Sequence, residues 1–149
     1  MNIKLRSKVA GNYLNVMAKF DRDLFEFLKP PDSQMKLIEF GGSKKGDKVH
    51  LEIIFPFKSE WISLITDDKI TESEAYFVDE GIVLPAILGL WKHKHIVRKI
   101  NDTTSEIIDD MTFEAGWKNF TFLLYPFIFI AFFPRIKAYK QYFGNNTST

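Results

Sequence analysis

Two of the chain's three histidines, His93 and His95, stand two residues apart in the stretch Trp91-Lys92-His93-Lys94-His95-Ile96-Val97. In an extended strand this spacing sends both imidazoles out of one face, together with Trp91 and Val97. A face that is half apolar and half titratable suits the wall of a ligand cavity, where a greasy lining carries a few polar groups that fix orientation. The stretch from Ser105 to Phe113 supplies an acid, Asp109. With Asn101-Asp102-Thr103 as a hairpin loop, counting back from it sets His95 opposite Asp109 and Ser105 on the Asp109 face. A carboxylate beside an imidazole fixes its tautomer and raises its pKa, which serves a general base or an oriented metal ligand. A slip of one residue would present Asp110 instead.

His93, His95 and Asp109 are therefore the candidate catalytic residues, with three roles open to them. They can form a structural pair that satisfies buried polar groups and pins strand register, orient a ligand oxygen, or move a proton. A metal needs a third ligand in reach, and nothing in the sequence ties His50 or Glu52 to this strand, so neither metal nor cofactor is expected. Trp61, Tyr76 and Trp91 can stack on a flat ligand or simply fill the core. Asp79-Glu80 and Asp109-Asp110 alternate faces, so neither adjacent pair is a carboxylate dyad, and outward, solvated partners are expected. Gly41 to Gly46 lacks the spacing and following helix of a phosphate loop, and no nucleophile elbow is present.

The elements that must position these groups follow from hydropathy period. Residues 2 to 9 alternate as a half-buried strand, Gly11-Asn12 breaks it, and Tyr13 to Leu28 has helical spacing, with Asp21 able to cap a second short helix before Pro30-Pro31. Strands are expected over Met35–Phe40, Lys48–Phe55, Glu60–Thr66 and Glu74–Asp79, with a turn at Asp67 to Thr71, then a long hairpin of Leu88–Ile100 and Thr104–Phe113. Trp117 to Phe143 reads as one long helix that Pro126 and Pro134 distort or split. Its residues Phe120, Leu123, Leu124, Phe127, Ile128 and Ala131 recur at helical spacing and are expected to face the sheet.

At 149 residues the chain fits one domain, placed at 1–144, with a frayed tail at 145–149. Aromatics reach 15% of the residues, 15 of them Phe, a load that fills either a bulky core or the wall of an apolar cavity. A net charge of +1 with both signs scattered offers no footprint for nucleic acid. The absence of cysteine removes disulfides, thiol nucleophiles and cysteine metal sites. The first twenty residues lack the apolar block of a secretory signal, so a cytoplasmic location is expected. The uncharged run Phe120 to Phe133 has 14 residues, short of the roughly 20 that span a bilayer. A buried helix is expected and a membrane partner is not, although the aromatic content and basic flank would also suit an interfacial helix.

The order of elements is that of an α+β helix-grip fold, a curved antiparallel sheet of six to seven strands around a long C-terminal helix, with two short helices after the first strand. Ser7 and Val9, Phe20-Asp21 with Leu24-Phe25, Gly46 with Val49, Phe77-Val78-Asp79 and Pro85 form one series of anchors along this order. Trp91-x-His93-x-His95, Asp109-x-x-x-Phe113, and Arg135, Tyr139 and Phe143 continue it. On these residues the chain resembles, over nearly its whole length, the bacterial branch of the SRPBCC superfamily, the START-like and birch-pollen-allergen-like proteins related to polyketide cyclases. Lys140 departs from the arginine expected after the helix tyrosine and would forgo a bidentate contact.

The resemblance implies an apolar cavity between sheet and C-terminal helix, without implying one activity. The expected function is binding of a small hydrophobic or amphipathic molecule, a lipid, polyketide or aromatic metabolite, by a monomer or homodimer. The ligand-binding set is Trp61, Tyr76, Trp91, His93, His95, Asp109, Phe120, Leu124 and Phe127. The alternative is a cyclase, dehydratase or hydrolase that uses the His-Asp cluster in the same cavity.

Overall fold

A computed structural model of the chain describes residues 1–144. The tail expected at 145–149 lies outside the described residues. Seven strands form one antiparallel sheet: β1 (Asn2–Ala10), β2 (Met35–Phe40), β3 (Lys48–Ile53), β4 (Ser59–Ile70), β5 (Glu74–Val83), β6 (Leu88–Lys99) and β7 (Thr104–Ala115). Their spatial order is β1-β7-β6-β5-β4-β3-β2, a meander whose last strand, β7, pairs back onto the first. Helices α1 (Tyr13–Ala18) and α2 (Arg22–Leu28) follow β1. A short turn at Lys118–Phe120 leads into α3 (Thr121–Phe132) and α4 (Arg135–Tyr142). This is the helix-grip architecture.

Local chemistry accounts for the elements. In β1 the alternation buries Ile3, Leu5, Ser7 and Val9 and exposes the charged residues between them. Gly11 takes a φ of 124°, a conformation that strains other residues, and its carbonyl accepts from the buried Ser105 hydroxyl at 2.7 Å. The Asn12 side chain then caps α1 through the Leu14 amide, and Asp21 caps α2 through the Leu24 amide at 3.1 Å.

The structure lengthens β4 and fixes where the C-terminal helix breaks. Asp67 and Asp68 do not end β4, because each finds a partner without breaking the strand: Asp67 accepts from the Tyr76 hydroxyl and Asp68 from the Lys45 amide. The strand absorbs them with a register shift between Ile65 and Asp67 and continues to Ile70. The C-terminal helix divides at Pro134 into α3 and α4, while Pro126 stays inside α3.

The core has two main parts. At one end Val16 of α1, Phe20 between α1 and α2, Leu24 of α2 and Tyr139 of α4 pack against Ile65, Phe77, Val97 and Ile107. At the other, Leu124, Ile128, Phe129 and Phe132 of α3, with Ile136 of α4, pack on Ile3, Leu5, Trp91, Met111 and Phe113. The sheet-facing row of α3 thus differs from the expected one. Phe120, Leu123 and Phe127 are largely exposed, and the helix as a whole is far from buried. Its sequence is apolar on every side, so hydropathy could not say which side would meet the sheet.

Candidate functional site

Between the two parts of the core lies a cavity of about 330 Å³. Its wall is mostly apolar, with Phe20, Leu24, Leu51, Trp61, Ile65 and Ile128 among the lining residues. Polar groups converge at one place: Ser63 of β4, Asp79 of β5, His93 and His95 of β6, and Arg135 and Tyr139 of α4 all line the cavity. The period of two in each strand turns these inward and their neighbours outward. Glu80 pairs with Lys92, and Asp110 with Lys4, on the other face.

The hairpin register sets His95 opposite Asp109, as the count from the loop predicts, and sets His93 opposite both Asp79 and Met111. The hydrogen bonds run diagonally across that register. His93 Nε2 lies 2.9 Å from Asp109 Oδ1, and His95 Nε2 lies 2.9 Å from Asp79 Oδ2. The two imidazoles lie against each other at 3.6 Å between ring centroids, and His95 also stacks on Phe77 at 4.4 Å. Further donors complete the carboxylates. The Tyr139 hydroxyl donates to Asp109 Oδ1 at 3.2 Å, while the Trp91 indole and Ser63 hydroxyl donate to Asp79 Oδ1 at 3.2 and 3.3 Å. The Trp61 indole in turn donates to the Ser63 oxygen at 3.1 Å.

Electrostatics separates the two histidines. Burial, then the neighbouring His95, lower the His93 pKa below the ordinary value despite its bond to Asp109. Burial also opposes charge on His95, but hydrogen bonds and charge from Asp109 and Asp79 outweigh it and raise its pKa. Both carboxylates are penalised by burial yet end below the usual range, because the histidines stabilise their ionised forms. Burial and then the Asp109 charge push the Tyr139 hydroxyl well up, so it stays protonated and donates.

Near pH 6.5, the ordinary histidine value, these directions favour an ionised Asp79 and Asp109, a protonated His95 and a neutral His93. This charge state also accounts for His95 Nδ1, which is buried without a hydrogen-bond partner but lies 3.5 Å from Asp109 Oδ1. In an imidazolium that nitrogen carries a proton and faces the anion. Neutral His93, by contrast, places its proton on Nε2, facing Asp109, and leaves Nδ1 as an acceptor.

The two histidines consequently contribute to stability with opposite signs. The raised pKa of His95 gives stabilisation that is full below about pH 6.5, the unfolded value, and is lost as pH rises through its folded value. The lowered pKa of His93 gives a contribution present above about pH 6.5 and lost as pH falls through its folded value. Ring-proton NMR is expected to show His95 titrating above about pH 6.5 and His93 below it. The opposite order of midpoints would refute this charge assignment.

Several expected site residues do gather here: Trp61, Trp91, His93, His95, Leu124 and Phe127 line the cavity, and Asp109 backs it. Tyr76 and Phe120 do not line it. Tyr76 falls on the outer face of β5, where it bonds Asp67 and lies under the Lys94 ammonium, because it alternates with the inward Phe77. Phe120 precedes α3 and points to solvent. Asp79 was not among the expected site residues, and its alternation with the outward Glu80 was the available signal. Ser63 carried no signal of its own, while Arg135 and Tyr139 stood out only through the resemblance.

Asp79, His93 and His95 offer ligand atoms within 4.8 Å of one another, a spacing that can hold a metal ion. Such an ion would compete with the 2.9 Å hydrogen bond between His95 Nε2 and Asp79 Oδ2.

No protein-family model and no curated protein matches the sequence. Solved structures do match in shape. Norcoclaurine synthase from Thalictrum flavum, in complex with dopamine and hydroxybenzaldehyde, superposes with a TM-score of 0.68 at 12% identity, over 100% of this chain and 89% of that one. The Zhui aromatase/cyclase from Streptomyces sp. R1128 gives 0.61 at 12% identity, over 93% and 90%. The di-domain aromatase/cyclase BexL gives 0.67 at 11% identity over 94% of this chain, which spans 45% of that longer one. The chain therefore has the helix-grip fold that these aromatase/cyclases and norcoclaurine synthase also have.

Proposed function

We propose that the protein binds a small, largely apolar molecule bearing one oxygen group, with that oxygen at the His93, Asp79 and Tyr139 end of the cavity. The observation that carries this reading is the cavity itself. Its volume of about 330 Å³ falls within the range of about 300–1,000 Å³ typical of small-molecule sites, and its apolar wall is interrupted at one polar cluster. Neutral His93 retains an acceptor nitrogen that a ligand hydroxyl can satisfy, and Arg135 supplies a donor on the same wall. The aromatase/cyclase and norcoclaurine synthase neighbours support a ligand-binding or cyclase role for this fold.

A screen of hydrophobic alcohols, phenols and fatty acids is expected to contain a binder that raises the melting temperature. At a ligand concentration one hundred times Kd the gain is about 2.7 kcal/mol, or about 5–10 °C for a chain of this size. His93→Leu is expected to lower the preference for a hydroxylated binder over its deoxy analogue by about tenfold, as loss of one buried hydrogen bond requires. Unchanged preference would remove His93 from the ligand's polar end.

A second reading has its own support. A neutral imidazole whose Nε2–H is held by an ionised carboxylate and whose Nδ1 is unbonded has the parts of a general base. In a cyclase or dehydratase, Nδ1 would take the substrate proton while Asp109 stabilises the imidazolium. A reaction rate that rises with pH through the low His93 midpoint would favour it over simple binding.

A further inference from the structure

α3 is apolar around its circumference, but the sheet covers one side of it. Phe122, Leu123, Phe127, Ile130 and Phe133 remain outside, between 49% and 71% exposed. Three connections at one end of the sheet also expose apolar side chains: Phe55 and Phe57 between β3 and β4, Ile87 between β5 and β6, and Trp117 after β7. Phe57 is 82% exposed and Trp117 80%. Soluble proteins rarely leave contiguous apolar surface beyond a few hundred Å² without a partner.

The charges identify the partner. From Trp117 to Phe143 there is no acidic residue, while Lys118, Arg135, Lys137 and Lys140 are basic. Lys137 follows Phe133 by four residues and extends its row. It and Lys140 are exposed and have no ion-pair partner among the described residues. A second copy packed helix against helix would bring these like charges together with no acid in the segment to offset them. Anionic headgroups above an acyl layer match both features.

We propose that this surface docks the protein on an anionic lipid bilayer, with α3 lying in the plane of the interface. The outer row of α3, with Trp117, enters the upper acyl region, and Lys137 and Lys140 meet the headgroup phosphates. The stretch Lys118–Tyr142 is long and apolar enough to cross a membrane by composition, but its inner row is packed on the sheet and Pro134 divides it. It therefore lies along the surface. Ile87 and Phe127 are both exposed and line the cavity, so docking brings the cavity mouth to the lipid. The docking itself does not depend on what the cavity holds.

The test is co-sedimentation of the full chain with vesicles of phosphatidylcholine alone or mixed with phosphatidylglycerol, with tryptophan emission recorded in parallel. Binding is expected to the anionic vesicles, to weaken with salt, and to shift the emission to the blue in a way that Trp117→Phe removes. Phe122→Glu/Ile130→Glu is expected to abolish binding, and Lys137→Glu/Lys140→Glu to weaken it by at least about fivefold per lysine. All four positions lie outside the cavity wall, so ligand uptake in solution and the melting curve stay unchanged and separate this result from the ligand reading. Equal binding to neutral vesicles, or binding to neither, would overturn the proposal. So would a lipid-free dimer that Phe122→Glu/Ile130→Glu dissolves, which would assign the surface to a second copy.

Discussion

Asp109→Ala is expected to cost about 3–5 kcal/mol of stability, whereas Asp110→Ala, one residue on, is expected to cost about 0–1 kcal/mol. The contrast depends on which side of β7 each carboxylate leaves. Asp109 is 2% exposed and receives His93 and Tyr139, with His95 alongside. Its removal strands a protonated imidazole and two donors where water cannot replace it. Asp110 pairs directly with Lys4 at 3.2 Å and accepts from the Asn2 side-chain amide at 2.7 Å, both at the surface, where water replaces most of what is lost. Urea denaturation of the two variants measures the difference. The same comparison by NMR is expected to find the His95 midpoint lowered in Asp109→Ala, because one of the two anions that raise it is gone. Equal costs for the two variants would show that the groups Asp109 leaves behind find other partners or water, and would refute its place at the centre of the buried network.

Ile128→Trp is expected to abolish ligand uptake while leaving the fold intact. Ile128 sits on the inner side of α3 and lines the cavity, so the larger ring has empty volume to enter rather than packed atoms to displace. Overpacking a filled core costs about 1–3 kcal/mol, and the variant is expected to stay below that range. Native mass spectrometry after exposure to the binder of the parent protein checks it. Retained binding with an unchanged melting curve would show that the ligand sits elsewhere. A loss of stability in that range would show that the cavity closes in solution.

Much of the sheet was legible in the sequence because a period of two is a local property. The alternation in β1, the shared face of His93 and His95, and the opposition of His95 and Asp109 all follow from counting along a strand or back from a short loop. The cap at Asp21 was legible for the same reason: a side chain that bonds an amide three residues ahead needs no distant partner.

Tertiary structure decided the rest. Alternation says that Asp79 and Glu80 leave by opposite faces, but only the position of β5 beside β6 makes the Asp79 side a buried site with a histidine in reach. The diagonal bonds depend on side-chain rotamers across three strands, and Tyr139 meets Asp109 from 30 residues away in sequence. α3 is the clearest case. Its apolar residues recur on every side, so the sequence alone determined a greasy helix between Lys118 and Pro134 and left its orientation open. The sheet can cover one side of a cylinder, and it covered the Leu124, Ile128 and Phe132 side, which left Phe122, Ile130 and Phe133 facing outward.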